Sequence, residues 1–277
     1  MGLDLPPKQR LKLVRQSLYA AFGFRGHVPV KIRDHPLGAV IGVSGMRVYV
    51  PSPLRWKLYK KGWRARLDQL EREYGVGQHV SLKPGDVIVD IGANAGEFAH
   101  VAARYGATIH CIEPDPRALV CLKANIEGLP DACAHDALIW KENGEISFFS
   151  APERADSSVF DEGQGPESLR RAVTLERFCA DNAITHIDLL KCDAEGAEPE
   201  VLEGVGAMFA HIRVIALDTG AERKGERTHE ACRAILEANE FKVFDETVGK
   251  RLMTYGVNRQ DLDKNEAFPD NGASFPE

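Results

Sequence analysis

One junction constrains the fold of this chain more than any other feature: an apolar strand that runs directly into a glycine turn and then into a helix. The strand Val87–Ile91 is apolar apart from Asp90, the turn contains Gly92 and Gly96, and a helical pattern starts at about Glu97. A buried strand that leads at once into a helix is typical of parallel sheets with right-handed crossovers. The sequence therefore predicts an α/β fold.

The alternation of strands and helices continues along the chain. Further strands are predicted at 108–112, 132–139, 145–149, 187–192, 213–217, 242–246 and 251–255. Further helices are predicted at about 116–126, 175–182, 198–202 and 228–239. The last two strands are joined by the short turn 247–249, which predicts an antiparallel hairpin at the end of a mostly parallel sheet.

The first 66 residues are strongly basic and form a separate segment. They contain fourteen Lys and Arg but only Asp4 and Asp34 as acids, whereas the whole chain has a net charge of −6. Such asymmetry indicates either a surface for phosphate, acidic glycan, anionic lipid or nucleic acid, or packing against an acidic body in the same or a neighbouring chain. Both interpretations stay open at this point, as does a homo-oligomer.

An amphipathic helix is predicted at 8–22, where Leu11, Val14, Leu18 and Phe22 recur at spacings of three and four. We expect this helix to pack on the core, and the alternative is a helix that contacts a membrane surface or a partner. Short strands over 28–51 and a helix over 53–74 would complete an N-terminal α+β cap. The predicted organisation is a cap at 1–78, a ligand-binding domain at 79–258 and a polar tail at 259–277.

Composition favours a cytoplasmic protein. No apolar run reaches the roughly 18 residues of a membrane-spanning helix, and the N-terminal residues lack the apolar core of a signal peptide. The six cysteines form no C-x-x-C pair, which argues against a disulfide framework and against a zinc knuckle. We expect reduced and mostly buried thiols.

The glycine turn predicts a nucleotide-type ligand at the end of the first strand of the domain. Glycines let the backbone turn sharply near a ligand, and the following helix presents unpaired N–H groups. Proteins that bind NAD use G-x-G-x-x-G to place a pyrophosphate, but here Asn94 stands at the middle glycine position. A ligand without phosphates, whose ammonium group meets Asp90, fits this turn better.

Two acidic positions follow the next two strands. Glu113 stands 23 residues after Asp90, where a carboxylate can accept hydrogen bonds from ribose hydroxyls. Proteins that bind NAD and those that bind S-adenosylmethionine share this feature, so Glu113 does not choose between them. Asp136 and Ala137 follow the third strand and either contact an adenine or lie in solvent.

Three carboxylates gather after the strand 187–192, at Asp193, Glu195 and Glu198. Mutual repulsion would raise at least one pKa toward a value useful for a general base. The same acids could hold a divalent cation, although we predict no metal. Alternatively, Asp193 or Glu195 caps the following helix, and Glu198 stabilises its dipole.

The chain resembles the FkbM methyltransferase family over roughly residues 80–220. The motifs that carry the resemblance are KPGDVIVDIGANAG at 83–96, EPDP at 113–116, DSS at 156–158, VTL at 173–175 and IDLLKCDAEGAEPEVLEG at 187–204. The resemblance implies a class I methyltransferase fold with a Rossmann-like sheet, S-adenosylmethionine as methyl donor and S-adenosylhomocysteine as product. It also implies O-methylation of a sugar, macrolide or glycolipid, so the expected partner is a small-molecule or glycan acceptor and not a nucleic acid.

The resemblance also implies roles for individual residues. The residues expected at the cofactor are Asp90, Gly92, Ala93, Asn94, Gly96, Glu113, Pro114, Asp136, Ala137 and Asp193. Asp193 and Glu195 are the expected catalytic residues, and Ser158, Glu198 and Asp218 are expected at the acceptor. The chain departs from the family at Asp218, where members often carry Glu, and residues 1–66 match no family pattern. Two other functions stay open: a nicotinamide-dependent oxidoreductase and a non-catalytic nucleotide-binding module.

Overall fold

A computed structural model describes residues 5–151, 157–160, 167–223 and 225–262. The motif residue Asp156 and most of the predicted tail lie outside these ranges. The N-terminal part contains helix α1 (Pro7–Ala21), a 3₁₀ turn (Phe24–Gly26), strands β1 (Val30–His35), β2 (Gly38–Val43) and β3 (Met46–Val50), a 3₁₀ helix (Pro53–Tyr59) and helix α2 (Trp63–Glu73). The single helix expected over 53–74 is divided, because Gly62 has a φ of +97°, which no helix accommodates.

The remaining elements follow the predicted alternation. They are β4 (Val87–Ile91), α3 (Glu97–Tyr105), β5 (Thr108–Ile112), α4 (Pro116–Ile126), β6 (Ala132–His135), β7 (Leu138–Ile139), β8 (Gly144–Phe149), β9 (Glu167–Val173), α5 (Leu175–Asp181), β10 (Ile187–Cys192), α6 (Glu198–Glu203), a 3₁₀ helix (Gly206–His211), β11 (Ile212–Asp218), α7 (His229–Ala238), β12 (Phe241–Val248), β13 (Arg251–Asn258) and α8 (Arg259–Leu262).

The main sheet has seven strands in the order β12-β13-β11-β10-β4-β5-β6. All neighbours from β11 to β6 pair in parallel, whereas β13 is antiparallel to both β11 and β12. The structure therefore confirms the class I methyltransferase sheet with an antiparallel hairpin. The strand order reverses between β4 and β10, and open α/β sheets bind their ligands at such a switch point.

A small second sheet, ordered β7-β9-β8, follows the edge strand β6. The sequence predicted one strand over 132–139, but the chain leaves the main sheet after His135 and pairs again from Leu138. Strand β9 was not predicted, because four of its seven residues are exposed or half-exposed polar side chains and the strand has no apolar alternation.

The cap has its own small core, which contains Ile41, Val48, Val50, Trp56 and Tyr59. It docks on α4 through Asn125, whose amide exchanges two hydrogen bonds with the backbone of Tyr49 at 2.8 and 2.7 Å. Helix α2 belongs to a different core: Leu67, Leu70 and Tyr74 pack with the residues that cover one face of the main sheet. The cap and the sheet are therefore joined by continuous packing.

Helix α1 contradicts the expectation that its apolar stripe packs on the core. Leu11, Val14, Leu18 and Phe22 are 72%, 57%, 55% and 85% exposed. The buried side chain of α1 is instead Gln16, whose Nε2 donates to the backbone oxygens of Val28 and Lys60, both at 2.9 Å. The helix is thus fixed by a polar anchor, and its apolar stripe points outward.

All six cysteines are free thiols, and five of them are buried, with Cys133 exposed. Among the described helices, none is both long enough and apolar enough to span a bilayer.

Candidate active site

A cavity of about 860 Å³ opens at the carboxyl ends of β4, β5 and β10. Its size lies within the range of about 300–1,000 Å³ that is usual for small-molecule sites. The main sheet contributes Asp90, Glu113, Lys191, Asp193 and Arg251 to its wall, helix α3 contributes Glu97, and the cap contributes Leu54, Arg55, Leu58 and Tyr74. The cavity therefore occupies the switch point of the sheet, closed on one side by the cap.

The glycine turn after β4 is shaped by a close approach of backbone to backbone. Gly92 has a φ of +73°, and a Cβ at this position would lie 1.9 Å from the carbonyl oxygen of Asp193. The backbone N–H groups of Gly92 and Ala93 both donate to Ile112, at 3.1 Å. Only glycine therefore allows the ends of β4 and β10 to meet beneath the cavity.

Glu113 is buried at the end of β5 and holds this turn from the other side. Its Oε2 accepts a hydrogen bond from the backbone N–H of Asn94 at 2.7 Å, and its Oε1 accepts one from the N–H of Asp115 at 2.8 Å. Burial raises the pKa of Glu113 to about 7, although these two N–H groups favour the ionised form. A ligand that donates hydroxyl hydrogen bonds to Glu113 would stabilise its carboxylate.

Asp90 and Lys191 form an ion pair beneath the cavity. Their side chains are 0% and 5% exposed, and the Lys191 ammonium donates to Asp90 Oδ1. Burial raises the pKa of Asp90, and the pKa of Lys191 is raised by the Asp90 and Asp193 carboxylates despite its burial. The sequence predicted that Asp90 meets the ammonium group of a ligand, whereas one of its oxygens bonds the ammonium group of Lys191. The other oxygen, Asp90 Oδ2, has no hydrogen-bond partner.

Asp193 lies at the end of β10 and is held by two side chains distant in sequence. Its Oδ2 accepts hydrogen bonds from the Tyr74 hydroxyl at 2.8 Å and from Arg251 at 3.0 Å. Burial would raise the pKa of Asp193, but Arg251 and Lys191 lower it below its usual value. Asp193 is therefore ionised at neutral pH, and its Oδ1 has no hydrogen-bond partner.

A second group of acids surrounds the same guanidinium. Asp193, Asp218 and Glu222 bring carboxylate oxygens within 4.8 Å of one another. Arg251 Nε lies 2.7 Å from Asp218 Oδ2, so the positive charge at this cluster is supplied by the guanidinium. Burial and the nearby Asp193 raise the pKa of Asp218 to about 6, and burial with Asp193 and Asp218 raises that of Glu222 to about 9. Glu222 is therefore neutral at pH 7.

Glu198 folds back under the loop that follows β10. Its Oε1 accepts from the backbone N–H groups of Ala194 at 3.0 Å and Gly196 at 3.1 Å, and its Oε2 accepts from the Thr228 hydroxyl at 3.0 Å. It is 0% exposed, and burial raises its pKa to about 7. Glu198 thus shapes the loop that carries Asp193. Helix α6 has Ala197 at its N-cap and no side-chain cap hydrogen bond, so the alternative in which Asp193 or Glu195 caps this helix is wrong.

Glu97, the first residue of α3, ties the cap to the cavity wall. Its Oε1 accepts hydrogen bonds from Arg55 at 3.0 Å and from the Tyr59 hydroxyl at 2.8 Å. Burial alone would raise its pKa, but Arg55 and Arg66 lower it to about 2. This cluster fixes the 3₁₀ helix Pro53–Tyr59 over the cavity.

The structure brings most of the predicted site residues together at the cavity. Those that line it are Asp90, Gly92, Ala93, Asn94, Glu113, Pro114, Ala137, Ser158, Asp193 and Glu195.

Four other predicted site residues do not line the cavity, each for a physical reason. Gly96 packs on α4, where a Cβ would lie 2.5 Å from Leu122. Asp136 is 56% exposed and lies 3.7 Å from Arg170. Both carboxylate oxygens of Glu198 already accept hydrogen bonds from the protein, and Asp218 is buried behind Arg251. Contact of these four side chains with cofactor or acceptor therefore finds no support in the geometry.

Sequence reasoning missed Tyr74, Lys191, Glu222 and Arg251. Lys191 carried a usable signal, because a lysine within an otherwise apolar central strand must find a buried acid. Tyr74 and Arg251 carried none, since each reaches Asp193 only through the fold.

Unpartnered acceptor atoms show what kind of ligand fits the cavity. Asp90 Oδ2, Asn94 Oδ1 and Asp193 Oδ1 are buried, and each lacks a hydrogen-bond partner. All three residues line the cavity. Buried oxygens of this kind are expected to be paired, so the cavity suits a ligand rich in donors, such as an ammonium group and hydroxyls.

Comparisons with known proteins point to one family. A model of the methyltransferase FkbM domain matches residues 90–260. The 2-O-methyltransferase NoeI of Sinorhizobium fredii (strain NBRC 101917 / NGR234) is 30% identical over 190 residues, covering 56% of this chain and 78% of that protein. The 31-O-demethyl-FK506 methyltransferase FkbM of Streptomyces tacrolimicus is 31% identical over 179 residues, covering 50% and 67%.

A solved structure with a similar fold is fibrillarin from Aeropyrum pernix in complex with natively bound S-adenosyl-L-methionine. It has a TM-score of 0.46 and 12% sequence identity, and the match covers 82% of this chain and 99% of that chain.

Proposed function

Because the chain belongs to the FkbM methyltransferase family, we propose that it methylates a hydroxyl oxygen of a sugar or another small-molecule alcohol. The donor is S-adenosylmethionine, and the enzyme is an O-methyltransferase. The relatives named above modify a 2-O position and a 31-O position, which supports an oxygen acceptor here. Family membership thus favours methyl transfer over the oxidoreductase and over the non-catalytic module.

The observation that carries this proposal is the set of unpartnered oxygens at the switch point of the sheet. S-adenosylmethionine supplies a methyl group on a sulfonium, together with ribose hydroxyls and an ammonium group. Glu113 would accept the ribose hydroxyls, Asp90 Oδ2 would accept the ammonium, and Asn94 Oδ1 would accept a further donor. Lys191 favours the ionised form of Asp90 for that task, because its ammonium bonds the other oxygen of the same carboxylate.

The acceptor hydroxyl needs a group that positions it and takes its proton, since a neutral alcohol is a poor nucleophile. Asp193 supplies an ionised carboxylate with a free Oδ1 at the cavity. Arg251 and Tyr74 hold its other oxygen and fix its direction. We propose that Asp193 Oδ1 accepts the proton of the acceptor hydroxyl. Glu195 and Ser158, which line the same wall, are the residues we expect to contact the acceptor.

Methyl-labelled S-adenosylmethionine tests the reaction class. The enzyme is incubated with a cell extract that contains small molecules, glycans, protein and nucleic acid, and the fractionated products are treated with dilute base. We expect label that survives base, because a methyl ether is stable where a methyl ester is hydrolysed. Label released by base would transfer the proposal to a carboxylate acceptor, and label confined to nucleic acid or protein would refute it.

The variant Asp193→Asn tests the proton acceptor once a labelled product is identified. It should bind S-adenosylhomocysteine with affinity close to wild type and lower turnover roughly 10²-fold or more, the scale of general-base loss. Asp131→Asn is the control, because Asp131 is an exposed loop residue. Equal turnover in the two variants would remove Asp193 from proton transfer.

A further inference from the structure

We propose that helix α1 binds the surface of an anionic lipid bilayer. The first observation is its outward apolar stripe, in which Leu11, Val14, Leu18 and Phe22 are all more than half exposed. Phe24, in the turn after the helix, is 45% exposed and extends the stripe. Of the seven exposed large apolar side chains in the described residues, three lie in α1 and two, Phe22 and Phe24, directly follow it. Apolar patches of this kind mark interaction sites.

The second observation is the charge around the stripe. Helix α1 contains Lys8, Arg10, Lys12 and Arg15 and no acidic residue. Lys57, Lys60 and Lys61 follow nearby in the cap, and the positive charges perturb one another. The pKa of His27 is lowered by burial and by the charges of Lys60, Lys61, Arg25 and Arg15. The pKa of Lys60 is lowered by burial and by the charges of Lys57, Lys12 and Arg15. An anionic surface would relieve this repulsion.

The third observation is that the outward orientation is fixed by the fold. Gln16 is 3% exposed and bonds two backbone oxygens of the cap, and the ring of Tyr19 stacks on His27 with centroids 5.3 Å apart. The inner side of α1 carries Gln16, Tyr19 and Leu13, which packs against the cap core. The helix cannot turn Leu11 and Leu18 inward without breaking these contacts, so the apolar stripe stays presented to the outside.

A bilayer is the occupant that matches both properties. A helix with Leu and Phe on one face and Lys and Arg beside them lies in the headgroup region of anionic membranes, where apolar burial and charge attraction add. The backbone oxygen of Lys60, which anchors α1, directly follows the 3₁₀ helix that lines the cavity. Membrane binding would therefore hold the cap side of the active site at the bilayer surface.

Flotation with vesicles of known composition tests the proposal. The wild-type chain should float with vesicles of phosphatidylglycerol and phosphatidylcholine, bind vesicles of pure phosphatidylcholine at least about tenfold more weakly, and dissociate as salt is raised. Val14→Glu with Leu18→Glu should weaken binding at least about tenfold. The control Leu169→Glu replaces an equally exposed apolar residue on β9 and should bind like wild type.

Charge is tested separately from the apolar stripe. Lys8→Glu with Lys12→Glu should weaken binding at least about tenfold, whereas Lys141→Glu with Lys242→Glu, two exposed lysines elsewhere, should leave it unchanged. Retained binding of S-adenosylhomocysteine shows that each variant is folded. The proposal would be overturned if the wild-type protein did not float with anionic vesicles, or if the Val14→Glu, Leu18→Glu variant floated with them as the wild type does. So would a lipid-free dimer that Val14→Glu and Leu18→Glu dissociate, since a second copy would then cover the stripe.

Discussion

Replacement of Lys191 by methionine should destabilise the protein severely, because it leaves a buried carboxylate without its cation. Asp90 is 0% exposed, and its contact with Lys191 is its one side-chain hydrogen bond among the described residues. Removal of one partner from a buried pair typically costs about 3–5 kcal/mol. With about 2–4 °C per kcal/mol for a chain of this size, the melting temperature should fall by roughly 6–20 °C.

Urea unfolding of four variants separates this effect from a simple loss of packing. Lys191→Met, Asp90→Asn and the double variant form a cycle, and Lys141→Met serves as a control at an exposed lysine, with an expected change within about 0.5 kcal/mol. The double variant should recover part of the loss, with a coupling energy of at least about 1 kcal/mol. A Lys191→Met protein as stable as the control, or strictly additive losses in the cycle, would refute the reasoning.

Three further predictions concern the turn and the buried acids. Gly92→Ala should unfold the protein or lower its free energy of unfolding by at least about 2 kcal/mol, because the new Cβ meets the Asp193 carbonyl. Gly85 has a φ of +87° and open space around it, so in Gly85→Ala backbone strain should lower the free energy of unfolding by only about 1 kcal/mol. Equal losses in thermal unfolding would contradict the steric argument. Glu97 has a pKa of about 2 in the folded protein, below its usual value, so it stabilises the protein above pH 4.5 and this stabilisation disappears as the pH falls toward 2. Glu97→Gln should therefore flatten the acid side of a stability-against-pH curve. An unchanged acid side would argue against the Arg55 and Tyr59 contacts. Glu222 has a raised pKa of about 9, so its contribution to stability is complete at low pH and is lost as the pH rises from about 4.5 through 9. Across that range the free energy of unfolding of Glu222→Gln should rise relative to that of the wild type by at least about 1 kcal/mol. Parallel stability-against-pH curves for the two proteins would show that Glu222 is not buried as described.

The sequence predicted the elements that have strong periodicity or clear end signals. Helix α4 begins and ends where Pro116 and Ile126 indicated, and Asp115 caps it by accepting from the N–H groups of Arg117 and Ala118. Strand β9 escaped prediction, because a polar strand in a small edge sheet has no apolar pattern to detect. Side-chain direction was also unpredictable at Asp136, where only the observed strand end shows that the carboxylate faces solvent.

Within the site, the motif residues were predictable and their partners were not. Asp90 lies near the end of β4, and Glu113 and Asp193 directly follow β5 and β10, strands whose carboxyl ends meet at one edge of a parallel sheet. Tyr74 and Arg251 reach Asp193 across 119 and 58 residues of chain. Arg251 and Tyr74 lower the pKa of Asp193, so the raised pKa expected for at least one of the three acids falls on Glu198, at about 7 and mainly through burial. The acid whose pKa is raised to about 9 is Glu222, which no local pattern marked.

The orientation of α1 shows a limit of periodicity. The spacing of Leu11, Val14, Leu18 and Phe22 identified the helix and its stripe correctly, but the stripe does not face the core. The inner side is instead set by the buried Gln16, whose amide satisfies two backbone oxygens of the cap, together with Leu13, which packs against the cap core. Amphipathicity alone carries no information on whether the apolar side meets the protein or something outside it.

The most direct test of the account is calorimetric titration of S-adenosylhomocysteine into three proteins: wild type, Glu113→Gln and Asp136→Asn. The account predicts one site per chain in the wild type, affinity at least about tenfold weaker in Glu113→Gln because a charged acceptor of hydroxyl hydrogen bonds is lost, and wild-type affinity in Asp136→Asn. Absence of binding to the wild type, or equal affinity of wild type and Glu113→Gln, would contradict the placement of the cofactor at the switch point of the sheet.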